Sequence, residues 1–169
     1  IPTRLGRTGY NHLGPWTDLS VPVAVHSPRL ICMAFVYETT VRFAHVDPAK
    51  VVYFARVYEM AHEAFEELMA SLGLPVGPLF EESKWGMPLV HTEATYRRPW
   101  RLGERVRIEG RITEMSERSI QFEYEFKDES GETRTRVHMR HVFVSMETFE
   151  PRSAPREFID AAQHAGLIK

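Results

Sequence analysis

The sequence predicts an α+β fold: an antiparallel β-sheet wrapped around one long central α-helix, with a short helix near the C-terminus. Three observations carry this prediction. One long segment, Val57 to Leu72, repeats apolar residues at helical spacing. One alternating run precedes it, and four alternating runs joined by short turn-forming segments follow it. A final stretch, opened by Ser153, Pro155 and Glu157 and closed by Gly166, has the length and boundaries of a short helix. At 169 residues and 43% hydrophobic content, the chain has the size of one domain with a substantial core.

Residues 1–32 differ from the rest. Gly6, Gly9, Gly14, Pro15, Pro22 and Pro28 interrupt any period, so this stretch is expected to be an N-terminal extension, either a surface segment or sequence foreign to a domain that starts at Met33. The domain is placed at 33–169. From Phe35 the chain alternates, with Phe35, Tyr37, Thr39, Val41 and Phe43 on one side and Glu38, Thr40 and Arg42 on the other, the period of a half-buried strand. A loop with one acid, Asp47, leads into the helix, whose start is expected just beyond that acid. Its apolar face is Val57, Tyr58, Ala61, Ala64, Phe65, Leu68 and Leu72, and Glu59, Glu63, Glu66 and Glu67 lie opposite. Gly73 and Pro75 end it.

Pro75, Gly77 and Pro78 mark a connecting loop with one short turn around Leu79 to Ser83. Strands are then expected over Pro88 to Arg98, Arg105 to Met115, Ile120 to Lys127 and Thr133 to Met146. The third of these has the cleanest alternation, Ile120, Phe122, Tyr124 and Phe126 against Gln121, Glu123, Glu125 and Lys127, and is expected to bury one face only. Asp128, Glu129, Ser130 and Gly131 supply the hairpin turn. In this arrangement the apolar strand faces pack on Tyr58, Ala61, Phe65 and Leu68, and the charged faces stay in water.

A formal net charge of −2 gives no overall attraction for nucleic acid or an anionic membrane. The single cysteine, Cys32, forms neither an intrachain disulfide nor a thiolate zinc cluster and suits a reducing, cytoplasmic setting. No apolar run approaches the roughly 20 residues needed to cross a bilayer, and no basic-then-apolar leader pattern opens the chain. There is no Gly-x-Ser-x-Gly elbow, no Gly-rich phosphate loop and no His-Glu-x-x-His string. His138 and His141, three apart on a strand, point to opposite faces, so no metal and no cofactor is expected.

The string from Val41 to Leu68, VRFAHVDPAKVVYFARVYEMAHEAFEEL, and the string from Tyr96 to Glu104, YRRPWRLGE, in this order and spacing, resemble the 4-hydroxybenzoyl-CoA thioesterase family of hot-dog-fold proteins. The resemblance runs from about Phe35 to about Met146. It implies an acyl-CoA thioesterase, cleaving a thioester to a carboxylic acid and a free thiol, assembled as a homodimer or homotetramer with sites at subunit interfaces. It places the catalytic acid at Asp47 and the carbonyl-polarising backbone N–H at Phe54. Elementary chemistry agrees, because free N–H groups at a helix start stabilise developing oxyanion charge without a side chain. Asp47 then acts as general base or as nucleophile, and the sequence leaves both routes open.

Tyr53, His62 and His45 are candidate substrate contacts. His45, two residues before Asp47 in an extended chain, is positioned to orient the acid. Arg97, Arg98, Arg118 and Lys50 are candidate CoA contacts. The chain departs from the family pattern at three places. Lys50 stands where many members have glycine, which is expected to hinder left-handed backbone angles. His62 replaces a frequent carboxylate. The basic cluster around Glu117-Arg118-Ser119 is reduced to Arg118, which leaves an acyl carrier protein as an alternative thioester donor. Two other readings stand beside the hydrolase: a non-catalytic acyl-thioester-binding or structural subunit, and a hydroxyacyl-thioester dehydratase using His62 with a partner glutamate.

Overall fold

The computed structural model describes residues 34–82 and 84–168; the expected extension over 1–32 lies outside the described residues. The elements are β1 (Phe35–Thr40), a 3₁₀ turn (Phe43–His45), α1 (Arg56–Ser71), α2 (Val76–Glu82), β2 (Trp85–Gly86), β3 (Leu89–Tyr96), β4 (Arg105–Met115), β5 (Ser119–Lys127), β6 (Thr133–Val142), β7 (Val144–Ser145) and α3 (Arg156–His164). Five strands form one antiparallel sheet in the order β1-β4-β5-β6-β3, and β2 pairs with β7. The chain lays β1 at one edge, crosses the sheet as α1, starts the opposite edge with β3, and fills the gap with the β4-β5-β6 meander.

The apolar stripe of α1 causes this wrapping. Val57, Met60, Ala61, Ala64, Phe65, Leu68 and Met69 are buried against Val106, Ile108, Ile112, Ile120, Phe122, Phe126, Val137 and Met139 from the strands. Ala61 and Ala64 have no exposed surface, and side chains this small let the sheet approach the helix axis closely. Burial of each large side chain contributes about 1.5–3 kcal/mol. The helix ends where Gly73 takes φ +74°, with the Leu74 N–H donating to the Met69 carbonyl at 2.9 Å. Gly110 of β4 leaves room for the Tyr124 ring: a Cβ there would lie 2.9 Å from Tyr124 Cε1.

Several expectations need correction. α1 starts at Arg56 and not just beyond Asp47; residues 48–55 form a loop between them. Phe43 is not on the inward side of a strand, because β1 stops at Thr40 and the 3₁₀ turn leaves Phe43 81% exposed. The connection after Gly73 is a two-turn helix, α2, which tolerates Pro78 because it stands in the first turn. The last strand breaks at Phe143, whose N–H turns to the Arg118 carbonyl at 2.9 Å, and resumes as β7 to pair with β2.

The polar face of β5 is not in water either. β5 is central, so long side chains from β4 and β6 lie across it: Arg111 and His138 pair with Glu123, and Arg136 pairs with Glu125, leaving Glu123 and Glu125 buried. At the β5–β6 turn, Asp128 accepts from the Ser130 hydroxyl at 2.6 Å and from Arg134 Nε at 2.9 Å, as its turn role requires. The C-terminal helix matches expectation, with Pro155 as N-cap, Phe158 and Ala162 buried, and Gly166 at φ +69°.

These contacts give two measurable consequences. Gly110→Ala is expected to destabilise the fold by about 1–3 kcal/mol through the collision with Tyr124, read as a lower urea midpoint; an unchanged midpoint contradicts this packing. Hydrogen bonding from Lys127 lowers the Glu109 carboxyl, and although burial works to raise Glu125, Arg136 and Arg111 outweigh it and hold that carboxyl low too. Their folded-state pKa values lie below the unfolded ones, so this stability is present above about pH 4.5 and is lost as pH falls through the folded values. Urea midpoints are expected to drop between pH 5 and 3, less steeply in Glu125→Gln; identical slopes contradict the assignment.

Candidate active site

The Asp47 loop is a closed turn. Val46 and Val52 form an antiparallel bridge, the Asp47 N–H donates to the Val51 carbonyl at 3.0 Å, and the Lys50 N–H donates to the Asp47 carbonyl at 2.9 Å. Asp47 Oδ1 accepts from the Ala49 N–H at 2.8 Å, which fixes the carboxylate and leaves Oδ2 without a partner among the described residues. Lys50 takes φ +62°, the left-handed conformation it was expected to hinder, so the turn closes without glycine. The turn is held from outside by the Val52 N–H, which donates to the Trp100 carbonyl at 2.9 Å.

Its second arm leads into α1. The Tyr53 N–H donates to the His45 carbonyl at 2.9 Å, and the first helical bonds run from Arg56 to Tyr53, from Val57 to Phe54 and from Tyr58 to Ala55. The Phe54 N–H finds no acceptor among the described residues, one of the orphan donors of a helix start. Asp47 and this N–H therefore sit on the two arms of one bridged turn. The Tyr53 and Phe54 side chains are 45% and 58% exposed, so the apolar surface here is open to a substrate or a partner subunit.

The other sequence candidates separate. His45 lies in the 3₁₀ turn and its Nδ1 accepts from the Arg42 N–H at 3.1 Å; it does not orient Asp47, because the extended geometry that would align them is absent. His62 is exposed on α1, stacks on Phe65, and pairs with Glu66 at 3.3 Å on the same helix. Arg97 and Arg98 follow β3 at the Asp47 end of the sheet, where Arg98 pairs with Glu132 at 2.8 Å and Arg97 makes no ion pair among the described residues. Lys50 is exposed beside Asp47. Arg118 lies at the opposite end, in the β4–β5 turn, because β4 runs the full length of the sheet before that turn. A single protomer therefore does not unite the four cations.

Four further residues build the site. The Tyr96 hydroxyl donates to the Phe54 carbonyl at 2.9 Å, tying β3 to the helix start; burial and the neighbouring Tyr58 hydroxyl push its pKa up to about 12, so it stays protonated. Arg134 stacks on Trp100 at 4.4 Å and donates to the Pro99 carbonyl at 3.1 Å, fixing the segment that holds Val52. His141 is 3% exposed and stacks on Phe65 with ring centroids 5.2 Å apart. Burial lowers its pKa, with His62 adding to the effect and the Met87 carbonyl opposing it. Tyr96 and Trp100 lie within the YRRPWRLGE string, so a signal for them existed; Arg134 and His141 are one residue among many in a polar alternating strand and carried none.

His62, Phe65, Trp85 and His141 line an apolar cavity of ≈ 250 Å³ between α1, α2 and the Leu89 end of β3, together with the thioethers of Met69, Met87, Met139 and Met146. Among the described residues no group of three metal-ligating side chains is assembled, and no helix is long and apolar enough to cross a membrane.

The model of the thioesterase-like superfamily matches residues 41–162. A 1,4-dihydroxy-2-naphthoyl-CoA hydrolase of Synechocystis is 31% identical over 122 residues, covering 72% of this chain and 87% of that protein. One of Microcystis aeruginosa is 33% identical over 88 residues, covering 52% of this chain and 64% of the relative, so the chain spans just under two thirds of that relative's length. A crystal structure of a 1,4-dihydroxy-2-naphthoyl-CoA thioesterase from Synechocystis superposes with TM-score 0.72 at 29% identity, covering 76% of this chain and 94% of the other. A gentisyl-coenzyme A thioesterase superposes with TM-score 0.68 at 25% identity, covering 75% and 98%. The acyl groups in these names differ from the 4-hydroxybenzoyl group of the family that the sequence strings suggested, so the resemblance holds at the level of the superfamily. With its sheet-wrapped helix and a family match across most of its length, the chain belongs to the thioesterase-like superfamily and has the hot-dog fold.

Proposed function

We propose that the protein is a thioesterase that hydrolyses an aromatic acyl-CoA, with Asp47 as general base and the Phe54 N–H as oxyanion donor. The observation that carries this reading is a bridged turn that holds a half-buried carboxylate with one oxygen unpartnered among the described residues, and that leads within two residues into an N–H that also lacks an acceptor. Asp47 takes a proton from water as that water adds to the thioester carbon, and the carbonyl oxygen, now negative, accepts the Phe54 N–H. Collapse breaks the C–S bond, and the proton held by Asp47 passes to the departing thiolate. The relatives' names supply the donor and the class of acyl group, coenzyme A and a hydroxylated aromatic acid. Lys50 reaches the left-handed angle itself, which removes one ground for a subunit without turnover. Of the four candidate cations, Lys50 and Arg97 stand at the Asp47 end of the sheet with no ion pair among the described residues, and are assigned to the nucleotide phosphates.

The complete site is proposed to need two protomers. Eight residues at about 1.5 Å each put His62 roughly 12 Å from Phe54 along the helix direction, farther than a compact aromatic acyl group reaches when its carbonyl lies at Phe54. β3 has one unpaired edge, and Leu89, Tyr96, Tyr53 and Phe54 leave large apolar surface exposed on and beside it. Antiparallel pairing of two β3 strands about a two-fold axis places the Tyr96 end of one, tied to Phe54, against the Leu89 end of the other, beside its cavity.

Asp47→Asn and Asp47→Ala are expected to lower thiol release from aromatic acyl-CoA by a factor of about 100 or more, with circular dichroism unchanged; near-native turnover in both variants rejects the assignment. Light scattering at micromolar concentration is expected to give a dimer or tetramer. A monomer that retains full activity rules out the shared site.

A further inference from the structure

His141, one of the cavity's lining residues, carries a polar atom that the thioesterase reading does not use. His141 Nδ1 lies 2.8 Å from the Met87 carbonyl oxygen. A carbonyl only accepts, so Nδ1 carries the hydrogen and Nε2 of the neutral ring is left as an acceptor. Nε2 is buried and has no hydrogen-bond partner among the described residues. The ring cannot easily turn to find one, because Phe65 stacks on it with planes 11° apart and Phe122 meets it edge-on at 82°. A buried acceptor without a donor is costly, and such atoms in folded proteins call for a reason.

We propose that His141 Nε2 is the specificity determinant of the acyl pocket, accepting a hydrogen bond from a hydroxyl on the aromatic ring of the substrate. This rests on the thioesterase reading above. The surrounding residues suit a flat aromatic group: Phe65 and Trp85 are aromatic, and Met69, Met87, Met139 and Met146 are unbranched and polarisable. Nε2 is buried, so the proposal requires these adaptable side chains to move for an occupant to reach it. A hydroxyl brought to Nε2 satisfies the orphaned acceptor, whereas an unsubstituted ring leaves it orphaned after the cavity has filled. Protonation would turn Nε2 from acceptor to donor, and burial of the ring works against that change. Discrimination therefore follows from unsatisfied polarity and not from size.

The test compares kcat/KM for a hydroxynaphthoyl-CoA and naphthoyl-CoA in the wild type and in His141→Phe, which keeps the stack on Phe65 and removes the acceptor. The wild type is expected to prefer the hydroxylated thioester by about tenfold, and the variant to bring the ratio of the two kcat/KM values close to one, whatever their absolute size. His141→Gln, which returns an acceptor oxygen, is expected to recover part of it and serves if the phenylalanine variant does not fold. Equal kcat/KM values in the wild type, or an undiminished preference in both variants, overturn the proposal. No thiol release from either compound by the wild type overturns the thioesterase reading instead, and equal Kd values for the two compounds then overturn the role of His141 as well.

Discussion

The whole arrangement depends on one constraint: the apolar stripe of α1 has to be covered, and a single antiparallel sheet covers it. Ala61 and Ala64 let the strands come close, and Met60, Phe65, Leu68 and Met69 fill the concave side. A sheet that curls around one helix has a strand at each edge, and here the edges are β1 and β3. The two ends of α1 consequently serve different purposes. Its start presents free backbone donors at the β3 edge, and its middle forms one wall of the apolar cavity.

A second set of contacts makes the helix start usable. Arg134 joins the Asp128 turn, Glu104, the Pro99 carbonyl and the face of Trp100. Burial works to lower the Arg134 pKa, and the paired carboxylates of Glu104 and Asp128 more than reverse it, so the guanidinium stays charged. The Trp100 indole is anchored in turn by Thr135 at 3.1 Å, and its carbonyl receives Val52. A cation clamped on one side of the sheet thus fixes the turn that carries Asp47, although Arg134 does not touch that residue. The same logic operates across the outer face of β5, where Arg111, Arg136 and His138 compensate two buried glutamates and stiffen the central strands.

Much of the fold was legible in the sequence because hydrophobic period is a local property. The alternation Ile120, Phe122, Tyr124, Phe126 and the helical recurrence from Val57 to Leu72 each specify an element and its inward face without reference to anything distant. The loop that carries Asp47 and the helix that follows were also legible, since both are written in consecutive residues, although the helix starts later than expected, at Arg56. Phe43 and His45 were misplaced for the converse reason: the strand stops after Thr40, and the 3₁₀ turn that follows breaks an alternation that the residues themselves continue.

What the sequence by itself determined is therefore the long helix, the five main strands, their apolar faces and the C-terminal helix, all of which depend on neighbours a few residues away. Tertiary structure alone decided which distant side chains meet. The Tyr96 hydroxyl reaches Phe54, Arg134 reaches Trp100, Arg118 is left at the far end of the sheet, and His141 stacks on Phe65 with one nitrogen satisfied and the other not. Each of these depends on strand order and register, which bring together residues separated by tens of positions. A period of two along a strand specifies which face a residue occupies and nothing about what lies across from it.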